Sequence, residues 1–139
     1  MIRLVEDTID NNDIDNLISW LQTYPRLTKG SLTLEFEQKW SNWVGSKYSL
    51  FVNSGSSANL IILAALKFGN FLANNKVLVP GLAWATDLAP VIQLGLEPVL
   101  CDINLDNLSV DLKQLEHIFE TEKPSCMILV SVLGLVPDM

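Results

Sequence analysis

The first 45 residues hold two stretches in which apolar side chains recur at helical spacing. In the first, apolar residues fall at positions i, i+3, i+4 and i+7, namely Ile14, Leu17, Ile18 and Leu21. This stretch predicts a helix that Asn12 or Asp13 caps and that ends before Pro25. The second holds Leu32, Phe36, Trp40, Trp43 and Val44. It predicts a helix that ends at Gly45.

After these helices the pattern alternates between short apolar runs and helical spacing. The runs predict strands at 48–52, 77–79, 98–103 and 127–133, and helices at about 57–68, 84–94 and 112–119. Pro90 predicts that the middle helix is kinked or begins after Trp84, and Ser109 is a candidate cap for the last. Continuous apolar strands are typical of parallel sheets covered on both faces. The sequence therefore predicts an α/β fold of three layers, with a mostly parallel sheet between helices.

Composition and charge exclude several classes of partner. The chain has 139 residues, 49% of them hydrophobic, and a mean hydropathy of +0.29. No apolar run approaches the roughly 20 residues that cross a bilayer, and the acidic start is no signal peptide, so we expect no membrane partner. A net charge of −7 argues against nucleic acid. The apolar excess predicts either buried strands or a surface for a partner.

The cysteines and the histidine give no metal-binding pattern. Cys101 and Cys126 lie in separate strand-like runs, which predicts two buried free thiols and a reducing, cytoplasmic setting. His117 is the sole histidine, so we expect no histidine-based metal site. It lies on a predicted helix, and a surface position is the simpler interpretation.

Residues 53–57, NSGSS, form a polar interruption between a predicted strand and a predicted helix. The first turn of a helix has free backbone N–H groups and the positive end of the helix dipole. Gly55 would allow an anion to approach closely, and Ser56 and Ser57 add hydroxyl donors, so the turn could hold a phosphate. It matches neither a P-loop nor a dinucleotide fingerprint. The alternative is a plain connection in which one serine caps the helix.

Two further positions follow strand ends and could face a ligand. Trp84 comes after a Pro-Gly turn and could stack on a flat heterocycle, the alternative being a tryptophan packed in the core. Asp102 ends the next strand and could point at a site, but a solvated strand end is the favoured interpretation.

Four segments together resemble the DegT/StrS family of nucleotide-sugar enzymes, which have fold type I and depend on pyridoxal phosphate. The segments are LTKGSLTLEFEQKW, FVNSGSSANL, VLVPGLAWATDLAPVIQLGLEPVLCDI and VSVLGLVPDM. They cover nearly the whole chain in the family's order. The sequences NSGSSANL and PVIQLGLEPV resemble the family's sugar 3-dehydratases more than its aminotransferases. In the 3-dehydratases a histidine replaces the cofactor-bearing lysine.

The resemblance implies roles for particular residues. Gly55 and Ser56, with Ser57 beside them, match the donors to the phosphate of pyridoxal 5′-phosphate, and Trp84 matches the aromatic ring that stacks on its pyridine. Residues 28–30, which are Thr28, Lys29 and Gly30, match a loop that borders the active site in the family dimer. The implied substrate is a nucleotide-linked 4-keto-6-deoxy sugar, and the implied assembly is a homodimer or larger.

The resemblance also implies what the chain lacks. The family's acid at the pyridine nitrogen and its catalytic lysine or histidine match no residue here, so we assign no catalytic residue. We expect an N-terminal portion without turnover, with residues 1–30 forming a helix and the loop bordering the active site. Residues 31–139 would then be a partial cofactor-binding domain. The alternatives are a phosphate-binding α/β module without catalysis, and a structural chain that self-associates.

Overall fold

The computed structural model describes residues 5–136. The chain forms two compact units, Met1–Phe51 and Val52–Met139, which are described separately. Residues 137–139, the end of the VSVLGLVPDM segment, lie outside the described range. The predicted domain boundaries, residues 1–30 and 31–139, stay predictions.

The first unit contains the two predicted amphipathic helices. Helix α1 spans Asn11–Leu21 and helix α2 spans Ser31–Val44. The predicted cap of α1 was wrong, because Asp10 accepts the backbone N–H of Asp13, at 3.1 Å, and the Asp13 carboxylate accepts the N–H of Asp10 in return. Helix α2 ends as predicted at Gly45, whose φ of +76° is left-handed and favours glycine.

The strand predicted at residues 48–52 is not formed. Its backbone is irregular, and no described segment pairs with it. The N–H of Phe51 donates to the Glu37 carboxylate, at 2.9 Å, instead of to a neighbouring strand. An apolar run becomes a strand only where another strand satisfies its backbone groups, and the described chain supplies none here.

The second unit alternates helices and strands. Its helices are α3, Gly55–Phe68, α4, Ala85–Gln93, and α5, Leu112–Thr121. Its strands are β1, Lys76–Pro80, β2, Glu97–Cys101, and β3, Cys126–Met127. The strands form a parallel sheet in the order β2-β1-β3.

Three predicted details of this unit change. Strand β3 has two residues instead of seven, because β1 ends at Pro80, which has no N–H to extend the ladder, and Val132–Gly134 forms a 3-10 turn. Asp111, not Ser109, caps α5 by accepting the N–H of Gln114 at 2.8 Å. Helix α4 begins at Ala85, just after Trp84, as the proline suggested, yet it keeps Pro90 in its interior.

The sheet lies between two helical layers, so the predicted α/β class is confirmed. On one face Val77 and Val79 of β1 pack with Leu63 of α3, Val91 of α4 and Leu96, which lies between α4 and β2. On the other face Leu78 packs with Cys101, Val110 and Ile118, the last of them on α5. Central strand β1 is therefore covered on both faces, which explains its unbroken apolar sequence.

Both cysteines are free thiols in the second unit. Cys101 is buried and Cys126 half-buried. Burial raises the pKa of each thiol, so both stay protonated near neutral pH. Between residues 5 and 136, no helix is long and apolar enough to cross a membrane.

Candidate phosphate and ring site

The NSGSS turn contains a cap and a separate pair of unused donors. Ser54 caps α3 by accepting the N–H of Ser57 at 3.2 Å. The Ser57 hydroxyl donates to the Asn53 side chain at 2.7 Å. Capping therefore accounts for Asn53, Ser54 and Ser57, as the simpler interpretation of the turn required, but not for Gly55 and Ser56.

Gly55 and Ser56 begin helix α3 with free donors. Among the described residues, none accepts a hydrogen bond from either backbone N–H or from the Ser56 hydroxyl. A Cβ added at Gly55 would meet no heavy atom within 4 Å, and the φ of Gly55 is not left-handed. Neither packing against residues 5–136 nor backbone conformation thus requires glycine at this position. Open space over free N–H groups at a helix N-terminus can accommodate an anion.

Trp84 is the N-cap residue of α4 and is 79% exposed. It lies in the loop after β1, at the carboxyl edge of the sheet, and lines a cavity of about 390 Å³ with Leu82, Leu108 and residues 130–133. A core position, the alternative considered from the sequence, is not what the structure shows. Asp102 and His117 are both exposed, and the Asp102 carboxylate accepts the N–H of Ile103.

A buried carboxylate on the first turn of α4 contacts the second turn of α3. Asp87 Oδ1 accepts from Asn59 Nδ2 at 2.8 Å, and Asp87 Oδ2 accepts from the backbone N–H of Trp84 at 3.1 Å. Neither Asp87 nor Asn59 was predicted from the sequence as a site residue. An acid at the third residue of a helix can accept the N–H of the N-cap residue, and this position could have indicated Asp87. No local signal points to Asn59, which lies 28 residues away in sequence. The contact brings the start of α4 beside the start of α3, at the same edge of the sheet.

Thr28, Lys29 and Gly30 lie in the other unit, on the rim of a cavity of about 480 Å³. The Lys29 ammonium pairs with the Glu37 carboxylate at 2.8 Å, and the same oxygen accepts the N–H of Phe51. The Glu37 side chain is only 12% exposed. The two hydrogen bonds, that from Lys29 first, hold the pKa of Glu37 below its usual value.

This geometry predicts a pH-dependent contact at Phe51. Because the pKa of Glu37 is lowered in the folded state, the contact is complete above about pH 4.5 and is lost as the pH falls through the lowered pKa. The amide resonance of Phe51 should therefore shift in acid with a midpoint below 4.5. NMR titration of the wild type and of Glu37→Gln checks this. A Phe51 shift that persists in Glu37→Gln would exclude the contact as its cause.

Comparison with known proteins identifies relatives for nearly all of the chain. Residues 7–139 match the model of the DegT/DnrJ/EryC1/StrS aminotransferase family. The GDP-4-keto-6-deoxy-D-mannose 3-dehydratase of Yersinia pseudotuberculosis is 34% identical over 94% of this chain and 34% of its own length. The GDP-perosamine synthase of Caulobacter vibrioides is 25% identical over 99% of this chain and 36% of its own. The chain thus spans about a third of the length of these curated relatives.

A solved structure supports the same relationship. The E. coli GDP-4-keto-6-deoxy-D-mannose 3-dehydratase with bound hydrated PLP matches 82% of this chain and 30% of its own, with a TM-score of 0.72 and 31% identity. The order of helices and strands, the parallel sheet and the match over residues 7–139 agree: the chain belongs to the DegT/DnrJ/EryC1/StrS aminotransferase family.

Proposed function

We propose that this chain supplies the phosphate-binding turn and the ring-stacking residue of a pyridoxal 5′-phosphate enzyme that acts on nucleotide-linked 4-keto-6-deoxy sugars. The observation that carries the proposal is the open space over Gly55, beside free donors at the start of α3. A glycine that neither packing nor conformation requires is explained by a ligand that must come close to the backbone. Membership of the family gives that ligand its identity.

The residues fit the two ends of this cofactor. The N–H groups of Gly55 and Ser56, and the Ser56 hydroxyl, would donate to the phosphate, whose charge the helix dipole favours. The exposed ring of Trp84 would stack on the pyridine, and Ser57 would hold the turn through Asn53. When bound, pyridoxal phosphate supplies an electron sink that stabilises negative charge at carbon. The chain's own residues would anchor and orient it.

Between the family's two reaction types we favour 3-dehydration over amino transfer. The 3-dehydratase relative is 34% identical and the perosamine synthase 25% identical. We expect neither the acid at the pyridine nitrogen nor the proton-transferring lysine or histidine to be among the site residues Gly55, Ser56, Ser57 and Trp84. Thr28, Lys29 and Gly30 would border the nucleotide sugar.

We also propose a homodimer or larger assembly, which the exposed aromatic residues on α2 support. The free thiols support a cytoplasmic setting.

Equilibrium dialysis against pyridoxal 5′-phosphate, pyridoxal and inorganic phosphate tests the proposal. We expect the phosphorylated cofactor to bind more tightly than either part, because the turn and the ring each contribute. Equal affinity for pyridoxal phosphate and inorganic phosphate would favour a phosphate-binding module without cofactor chemistry. Absence of binding by all three would overturn the assignment of the turn.

Trp84→Ala separates the two ends of the site. We expect the affinity for pyridoxal phosphate to fall about tenfold, since stacking on an aromatic ring contributes roughly 1–3 kcal/mol. The affinity for inorganic phosphate should not change. Tyr48→Ala is the control, because Tyr48 is a similarly exposed aromatic residue that lies outside α2. If both variants bind the cofactor like the wild type, Trp84 does not stack on it.

A further inference from the structure

A carboxylate with no positive partner lies under the proposed ring-binding residue. Asp87 is 8% exposed, and no lysine or arginine among residues 5–136 forms an ion pair with it. Its two oxygens accept instead from Asn59 Nδ2 and from the N–H of Trp84. Burying a carboxylate is costly unless hydrogen bonds compensate, so a buried acid held by two neutral donors requires an explanation.

Asp87 holds the main chain of Trp84 on both sides. Its carboxylate accepts the Trp84 N–H at 3.1 Å, and its own N–H donates to the Trp84 carbonyl at 2.9 Å. The indole ring itself is exposed, so packing does little to fix its position. The direction in which the ring leaves the backbone therefore depends on the contacts of Asp87.

The contact with Asn59 extends this control to the phosphate turn. Capping of α4 by the Asp87 carboxylate, with one backbone bond of the first turn, explains the contacts between Asp87 and Trp84. Neither contact needs a partner on another helix. Asn59 lies on α3, four residues after Gly55, and its amide must present the nitrogen because a carboxylate can only accept. The Asp87 carboxylate thus connects the residue proposed to stack on the ring with the helix proposed to hold the phosphate.

We propose that Asp87 is a positioning residue that acts through its contact with Asn59. It fixes the distance between the Trp84 ring and the Gly55 turn, so that one ligand can reach both. The inference rests on the proposed function. It predicts that removing either contact weakens ligands that use both ends of the site. Ligands that use the turn alone should bind unchanged.

Three variants of the protein test the inference. Asp87→Ala removes both side-chain contacts, and Asn59→Ala removes the link to α3 but leaves the bond from the Trp84 N–H to the Asp87 carboxylate intact. The double variant N59D/D87N exchanges the two groups, so that a carboxylate at 59 accepts from an amide at 87 whose oxygen still accepts the Trp84 N–H. We expect both alanine variants to bind pyridoxal phosphate about tenfold more weakly, because each loses one or two hydrogen bonds. We expect the exchange variant to bind it like the wild type. Inorganic phosphate should bind all variants like the wild type.

Several results would overturn the inference. If Asn59→Ala binds pyridoxal phosphate normally, Asp87 acts only as a helix cap. If every variant loses affinity for pyridoxal phosphate and inorganic phosphate equally, the contact is merely structural. Should Asp87→Ala fail to fold, Asn59→Ala and the exchange variant still decide the question.

A ligand-free measurement distinguishes failure of the inference from failure of the proposed function. In protein labelled with 5-fluorotryptophan, the ¹⁹F resonance of Trp84, assigned by its loss in Trp84→Phe, reports the ring's surroundings. We expect it to shift in Asn59→Ala and to return in the exchange variant. A wild type that binds no pyridoxal phosphate would refute the proposed function, while an unmoved resonance would refute the positioning role.

Discussion

Gly55→Ala is expected to lower the affinity for pyridoxal 5′-phosphate about 100-fold, because an added methyl would keep the phosphate from one or two charge-assisted hydrogen bonds, each worth about 1.5–3 kcal/mol. The same change should not destabilise the fold. The new Cβ would meet no heavy atom within 4 Å, and the backbone at residue 55 is not left-handed. Alanine is also a better helix former than glycine. Affinity and stability should therefore respond differently to one methyl group.

Equilibrium dialysis and chemical denaturation of the same preparation check this prediction. Ser57→Ala is a useful control, because it removes a hydroxyl that already donates to Asn53 and should affect the stability of the turn. Gly55→Ala protein that binds pyridoxal phosphate like the wild type would show that no ligand approaches this backbone. The explanation for the glycine, and with it the proposed phosphate site, would then fail.

Leu78→Ala is expected to lower the free energy of unfolding by about 2–5 kcal/mol. Leu78 is 0% exposed at the centre of β1, and it packs on one face of the sheet with Cys101, Val110 and Ile118. Its removal would leave a cavity in a cluster whose members come from different elements and cannot all close in. A change of this size is a large fraction of the stability of a typical domain.

Urea denaturation followed by far-UV circular dichroism measures the effect on Leu78→Ala. Leu105→Ala is the matched control, since Leu105 is 85% exposed and its loss should change stability by no more than about 0.5 kcal/mol. Equal midpoints for the two variants would mean that β1 does not form the centre of the core.

The sequence predicts the five helices and strand β1 better than it predicts residues 48–52 and strand β3. Strand β1 and helices α3, α4 and α5 arise where the apolar pattern predicts them, because each buries a continuous run or a helical stripe. The residues at 48–52 have the same apolar character but form no strand. The apolar pattern predicts only that these residues avoid water. A strand also needs a neighbouring strand that satisfies its backbone N–H and C=O groups.

The candidate site divides in the same way. The sequence and the family resemblance predicted four cofactor-binding residues, Gly55, Ser56, Ser57 and Trp84. Their roles stay predictions. Asp87 and Asn59 were not named, although the structure connects them at 2.8 Å. Their contact depends on how α3 packs on α4, which no local spacing encodes.

By itself the sequence determined the α/β class, the family resemblance and the position of a polar turn before a helix. Periodicity and turn chemistry are local properties, and a single chain displays them directly. The tertiary structure decided which donors of that turn are consumed by capping and which stay free, and that the Trp84 ring is exposed. It alone revealed that one buried carboxylate connects the start of two helices, because hydrogen bonds between distant residues exist only after the elements have packed.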